Sequence, residues 1–188
     1  GVSELTMAAV MNGMALHGGV IPVCGTFFVF SDYMKPAVRM AALMGLPVKY
    51  VWTHDAFRVG EDGPTHQPVE QEAQIRLMEH LRNHHGENSM LVLRPADAHE
   101  TNITWQMALE NKNTPTALIL SRQNIKTLPS DSGSRIKDAS MAARGAYVVA
   151  EPEGKPDIIL VASGSEVSTL VEGAALLVKE GVRVRIVS

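Results

Sequence analysis

The sequence has a single cysteine, Cys24, so no internal disulfide can form, and the chain fits a reducing compartment. It has no excess of one charge. Its 17 Lys and Arg face 20 Asp and Glu, a net of −3. That balance removes the electrostatic drive for broad binding to nucleic acid or to an anionic membrane. No apolar run reaches the ~18–20 residues of a membrane span. Residues 1–19 carry Glu4, Asn12 and His17 and do not form the apolar stretch of a secretion signal. Neither a GxGxxG nor a Walker loop occurs, so the common nucleotide cradles are absent. Internal repeats and low-complexity tracts are also lacking. Aromatics are scarce, at 5% of the chain, yet four of them crowd into residues 27–33.

What is present is a globular composition, 45% apolar and 20% charged over 188 residues, enough for one domain and a fraction of another. Apolar residues at helical spacing predict a helix over 3–17, and VIPVC (20–24) predicts a buried strand. A helix follows over 31–44, with Pro36 near its start and Gly45 as its stop. The pattern then gives a strand 47–52, a long loop 53–67, a helix 68–83, a strand 89–93, a helix 97–111 and a strand 115–121. Such alternation implies an α/β fold, a mainly parallel sheet with helices on both faces. Periodicity fades over 127–143, which reads as a linker. Residues 144–188 repeat the strand and helix pattern (145–150, 157–162, 165–180, 182–187) and read as an incomplete second α/β unit. The expectation is a piece of a larger polypeptide whose first domain, 1–126, lacks its first strand.

In open parallel sheets, ligands bind beyond the carboxyl ends of the strands, and three unusual segments are expected there. Phe27, Phe30 and Tyr33 are three apart, so in a helical turn they share one face. Two readings fit: a shelf that stacks a flat heteroaromatic ring, or core aromatics packed inward. The loop Thr53–Gln67 holds His54, Asp55, Glu61, Asp62 and His66 with two glycines. It is too long for a plain βα connector, and its histidines suit proton exchange near neutral pH. The spacing of His54 and His66 does not suit a metal site. Arg122 follows the last strand of the first domain, where it is placed either for a phosphate or for a surface ion pair. Glu4 opens the first helix, either as an ordinary dipole-compensating acid or as a carboxyl held for a ligand nitrogen. His80, His84 and His85 read as solvent-facing. Ser165, in the Gly-Ser-Glu turn before the last helix, reads as a helix cap.

The run GEDGPTHQPVEQ (60–71), preceded by THD (53–55), resembles the substrate loop of transketolases. LILSRQN (118–124), TFFVFSDYMKPAVRMAALM (26–44) and MNGMALHGG (11–19) resemble further motifs of that family, in the same order. ASGSEV (162–167) is similar to the start of its C-terminal domain. The resemblance implies the thiamine-diphosphate-binding fold and the pyrimidine-binding middle domain. It implies an enzyme that moves a two-carbon ketol unit from a ketose phosphate to an aldose phosphate in the pentose phosphate pathway. Glu4 would hydrogen-bond the aminopyrimidine ring and favour the tautomer that takes the thiazolium proton. Phe27, Phe30 and Tyr33 would line the ring pocket. Asp62 and His66 would touch the donor's hydroxyls, with His66 assisting proton movement, and His54 and Arg122 would hold the sugar phosphate.

By the same resemblance the protein is a cytoplasmic homodimer whose active site forms between subunits. From the charge balance neither nucleic-acid nor membrane binding is expected, and by the resemblance the magnesium ligands would lie in an N-terminal domain outside these residues. The fragment alone is expected to be inactive. Three departures stand out. Ser3 replaces the arginine that the family usually places before the glutamate, Ala56 replaces a serine after THD, and residues 79–89 are longer than usual. Two further readings of the resemblance are a related thiamine enzyme, such as deoxyxylulose-phosphate synthase or a pyruvate dehydrogenase subunit, and a non-catalytic association module of the same fold.

Overall fold

The computed structural model describes residues 2–55 and 58–188. Ala56, one of the departures above, lies outside the described residues. The chain divides into two units, Gly1–Leu93 with Met107–Gln123, and Arg94–Gln106 with Asn124–Ser188.

The first unit is built on four parallel strands, β1 (Val23–Phe27), β2 (Lys49–Thr53), β3 (Leu91–Leu93) and β4 (Thr116–Ile119), in the order β1-β2-β4-β3. β2 is central and rich in the β-branched and aromatic residues that fit a pleated sheet. Its alternation turns Tyr50 and Trp52 to one face, where their rings stack 5.6 Å apart and are fully buried. Phe28, Met34, Val38, Val48, Ile75 and Met90 complete that core. Burying one such side chain contributes roughly 1.5–3 kcal/mol.

Helix α1 (Glu4–His17) lies against α2 (Ser31–Met44) and β1. Its buried Asn12 donates from Nδ2 to the Ala37 carbonyl (2.8 Å) and accepts from the Tyr50 hydroxyl (3.2 Å), so the polar group is satisfied where it sits. α2 buries Met34, Val38 and Ala41, spaced on one stripe, and ends at Gly45 in the left-handed conformation (φ 65°). The third helix of the unit is α3 (Gln71–His80).

Three expectations shift. β1 begins at Val23 rather than residue 20, because Pro22 offers only its carbonyl, to the Lys49 N–H (3.0 Å). α3 begins at Gln71 and ends at His80. Residues beyond it form a turn in which the Asn83 side chain accepts from the backbone N–H groups of His85 and Glu87, and the rings of exposed His84 and His85 lie tilted against each other at 3.9 Å. The stretch read as a linker carries a short helix α5 (Arg135–Ala139) followed by a 3₁₀ turn (Ser140–Arg144). Besides Leu128 and Ala139 this stretch buries a charge, Arg135, which an apolar pattern does not register.

The second unit contains residues from α4 (Ala98–Glu110), α5, α6 (Glu166–Lys179) and three strands, β5 (Val148–Ala150), β6 (Ile158–Val161) and β7 (Val184–Val187). The sheet is mixed, in the order β5-β7-β6. β6 runs parallel to β7 and β5 antiparallel to it. Ser165 caps no N–H through its side chain. The constraint on that turn is Gly164 (φ 62°), where a Cβ would stand 2.6 Å from Arg94 Cγ. Among the described residues, no helix is long and apolar enough to cross a membrane.

Candidate active site

Because the four strands are parallel, the residues that follow β1, β2 and β4 emerge on one edge of the sheet. These are Phe27 to Tyr33, His54 and Asp55, and Ser121 to Gln123. The aromatic run does not form one helical face. Phe27 ends β1, Phe30 ends a 3₁₀ turn and Tyr33 lies in α2, and the rings follow one another at 6.1 and 6.0 Å. Phe28 goes the other way, into the core against Trp52. The core aromatic of this segment is thus Phe28, while Phe27, Phe30 and Tyr33 line up outside it. Tyr33 stays 62% exposed, which leaves an aromatic face unspent by the fold.

His54 has a positive φ (62°), the left-handed conformation that costs a non-glycine residue on the order of 1–3 kcal/mol. Ladder hydrogen bonds on either side enforce it, from Leu120 N–H to the Trp52 carbonyl (2.8 Å) and from Asp55 N–H to the Leu120 carbonyl (3.1 Å). The result lays the imidazole over Phe27, ring centres 3.6 Å apart. Burial chiefly pushes His54 below the ordinary imidazole range. Asp62 opposes this, and Arg122 and His66 add to it. The neutral ring is thereby favoured.

The loop folds back through Gly60 (φ 84°) and Gly63 (φ 77°) into a 3₁₀ turn over Pro64–His66. This brings Asp62 Oδ2 to 3.1 Å from Arg122 Nε and 3.6 Å from His54 Nε2. His66 sits edge-on to Phe30 at 5.1 Å and to Phe27 at 6.0 Å. Phe27, Phe30, Tyr33, His54, Asp62, His66 and Arg122 form one connected group. Arg122 does make an ion pair, but the pair belongs to this cluster, with the guanidinium nearly half exposed.

Glu4 makes no hydrogen bond or ion pair with that cluster among the described residues. It opens α1, whose ~21 Å length and short five-residue connection to β1 turn the helix antiparallel to the strand. Glu4, half-buried, thus stands at the helix end turned toward the carboxyl edge of the sheet. Ser3, which stands for the expected arginine, hydrogen-bonds Thr6 (2.8 Å). Among the described residues, no group of three or more His, Cys, Asp or Glu side chains could hold a metal. Sequence reasoning missed the two hydroxyls at the histidines, Thr53 Oγ1 at 2.9 Å from His54 Nδ1 and Thr65 Oγ1 at 2.8 Å from His66 Nδ1. The signal was there, as two Thr-His dipeptides in one loop.

A parallel α/β domain with an aromatic run and a cation–carboxylate cluster on its carboxyl edge is a ligand-binding domain of the class that places chemistry beyond strand ends. The family model described as "Transketolase, pyrimidine binding domain" matches residues 1–127, and "Transketolase-like TK C-terminal domain" matches residues 145–188. The chain belongs to the transketolase family. It is 52% identical over its whole length to a transketolase of Halalkalibacterium halodurans, of which it covers 26%, and 50% identical to that of Bacillus subtilis, again covering 26%. It superposes on transketolase from Leishmania mexicana with a TM-score of 0.84 at 45% identity, over all of this chain and 26% of that one. The chain thus spans about a quarter of the length of these relatives.

Proposed function

We propose that this chain is the pyrimidine-binding part of a transketolase, which transfers a two-carbon ketol unit from a ketose phosphate to an aldose phosphate. The observation that carries this reading is the contact of the aromatic group with the charged one. Phe27 stacks on His54, and His54 shares Asp62 with Arg122. An aromatic ring face and an anion-binding group then border the same space, as a reaction between a flat heteroaromatic cofactor and a sugar phosphate requires.

The residues fit thiamine diphosphate at its pyrimidine end. Phe30 and Tyr33 offer ring faces, and Glu4 offers a half-buried carboxylate that makes no ion pair with the cluster among the described residues. When bound, that cofactor supplies the carbanion chemistry that breaks and remakes a carbon–carbon bond. Glu4 holds a pyrimidine ring nitrogen by hydrogen bonding. Phe27, Phe30 and Tyr33 orient the ring and keep water off it. Arg122, with His54 beside it, neutralises the substrate's phosphate. Asp62 accepts from a donor hydroxyl, and His66 reaches the C1 hydroxyl and helps move its proton. The diphosphate and its magnesium bind in the part of the protein beyond these residues. We further propose a cytoplasmic homodimer with the site between subunits, acting in the pentose phosphate pathway.

The test is an assay of the full-length protein with thiamine diphosphate and magnesium, xylulose 5-phosphate as donor and ribose 5-phosphate as acceptor, beside a Glu4→Ala variant. Activity that collapses in the variant while the cofactor still binds supports the reading. An inactive full-length protein that retains bound cofactor overturns it in favour of another thiamine enzyme or a silent relative.

A further inference from the structure

The loop at the carboxyl edge contains the dipeptide Thr-His twice, Thr53-His54 and Thr65-His66, and both imidazoles border the ring of Phe27. In each case the preceding threonine's Oγ1 reaches the Nδ1 of the histidine, at 2.9 and 2.8 Å. The hydrogen bond at one imidazole nitrogen decides which nitrogen carries the proton. At His54 a charge on the other side of the ring biases the direction. Asp62 Oδ2 stands 3.6 Å from Nε2, and a carboxylate there favours a proton on Nε2. Nδ1 then carries the lone pair, and the Thr53 hydroxyl donates to it.

We propose that Thr53 and Thr65 are positioning residues that hold His54 and His66 as Nε2–H tautomers, so that each ring presents a proton donor to the ligand. For His54 this deepens the proposed function, and it rests on that reading. A neutral imidazole donating from Nε2 can bind a phosphate oxygen without carrying a charge of its own, which leaves the charge to Arg122. For His66 the same tautomer donates to a hydroxyl or developing alkoxide oxygen. The ring acts from Nε2, and the Nδ1 lone pair is engaged by the threonine hydroxyl. A threonine at these positions thus has a role that neither its β propensity nor its size requires. Valine would serve those equally well.

Diethyl pyrocarbonate, which acylates the imidazole nitrogen bearing a lone pair, tests this on the full-length protein without turnover. Trypsin cuts after Lys49, Arg58 and Arg76, so His54 and His66 fall in separate peptides with one histidine each. In the parent both are acylated slowly. Thr65→Val raises acylation of His66 by about tenfold, the loss of one hydrogen bond, and leaves His54 unchanged, while Thr65→Ser restores the parent rate. Thr53→Val and Thr53→Ser behave in the same way at His54. A valine variant acylated at the parent rate overturns the proposal. So does a rise at both histidines that serine fails to reverse, since that is loosening of the loop. Neither result depends on which sugar the protein uses, so a failed activity assay and a failed tautomer test are told apart.

Discussion

Gly60 and Arg122 are fitted to each other. Gly60 has φ 84°, and a Cβ added to it would stand 2.8 Å from Arg122 Nη1 and 3.1 Å from Gln123 Nε2. The glycine is therefore required twice, once by its backbone and once by the guanidinium lying over it. Its bare backbone lets the loop after β2 close down on the loop after β4, and this closure is what delivers Asp62 to Arg122.

Gly60→Ala separates the two. The left-handed conformation costs an alanine about 1–2 kcal/mol, and the arginine must swing away in addition. The expected result is a rise of roughly tenfold or more in the donor's KM with little loss of fold, since Gly60 itself is exposed. Donor titrations and a thermal melt on the same preparation check both halves.

Arg122→Ala removes the charged hydrogen bonds proposed for the phosphate, each on the order of 1.5–3 kcal/mol. A phosphorylated ketose donor should bind about 10–100-fold more weakly, whereas the corresponding donor lacking the phosphate should bind as it does to the parent. Arg122→Lys should recover only part of the loss, because a point charge cannot reproduce the planar fork. Equal losses for both donors would remove the phosphate from this residue's role.

The sheet and its order of elements were legible because strand and helix periodicities alternate cleanly through residue 121. The site was legible only in pieces. Spacing marked Phe27, Phe30 and Tyr33 but assigned them to one helical face. The chain places them across a strand end, a 3₁₀ turn and a helix, a junction that no single period describes. Composition marked the loop, but it could not show that Asp62 would join His54 to Arg122, since that contact spans sixty residues. The stretch 127–143 looked like a linker because hydrophobic pattern detects apolar anchors. Arg135 is anchored by charge, and charge carries no period.

Lys49 gives a prediction in pH. It is buried at the start of β2 and donates to the Asn111 carbonyl at 2.6 Å. Burial, with help from Lys112, pulls its ammonium down to about 8 from an ordinary 10.5. Between those two values the unfolded chain binds more protons than the folded one, so this residue's contribution to stability rises with pH across that window. Lys49→Met removes the dependence. The stability difference between variant and parent should change by about 2 kcal/mol, in the parent's favour, between pH 7.5 and 10. Urea unfolding followed by tryptophan fluorescence at the two pH values measures it. A constant difference would mean that Lys49 is ordinarily solvated.

Arg135 gives the last. In the second unit it is buried between two buried carboxylates, with Nε 2.7 Å from Asp97 Oδ2 and Nη2 3.0 Å from Glu100 Oε1. Glu100 also accepts from the Tyr147 hydroxyl and from Ser188 Oγ (2.9 Å), and Asp97 accepts from the Leu128 N–H (3.1 Å). The pair alone is weak grounds for stability, because desolvation offsets the attraction. Breaking it is different, since Arg135→Met leaves two carboxylates buried without their cation, at a cost of roughly 3–5 kcal/mol. The pH dependence separates this cause from lost packing. Burial pushes the Asp97 carboxyl up, but Arg135 and the backbone N–H groups of Glu100 and Leu128 outweigh it and hold it below its ordinary value. In the parent, therefore, Asp97 contributes stability that is present above its ordinary value near 3.8 and lost as pH falls through the lowered one. Without Arg135 the carboxyl's affinity for protons rises, and acid relieves the repulsion. The deficit of Arg135→Met should shrink as pH falls from 7 toward 4.5, read by hydrogen exchange in the peptides of α5 and β5. A deficit that stays constant with pH would place the loss in the packing of the arginine's stem.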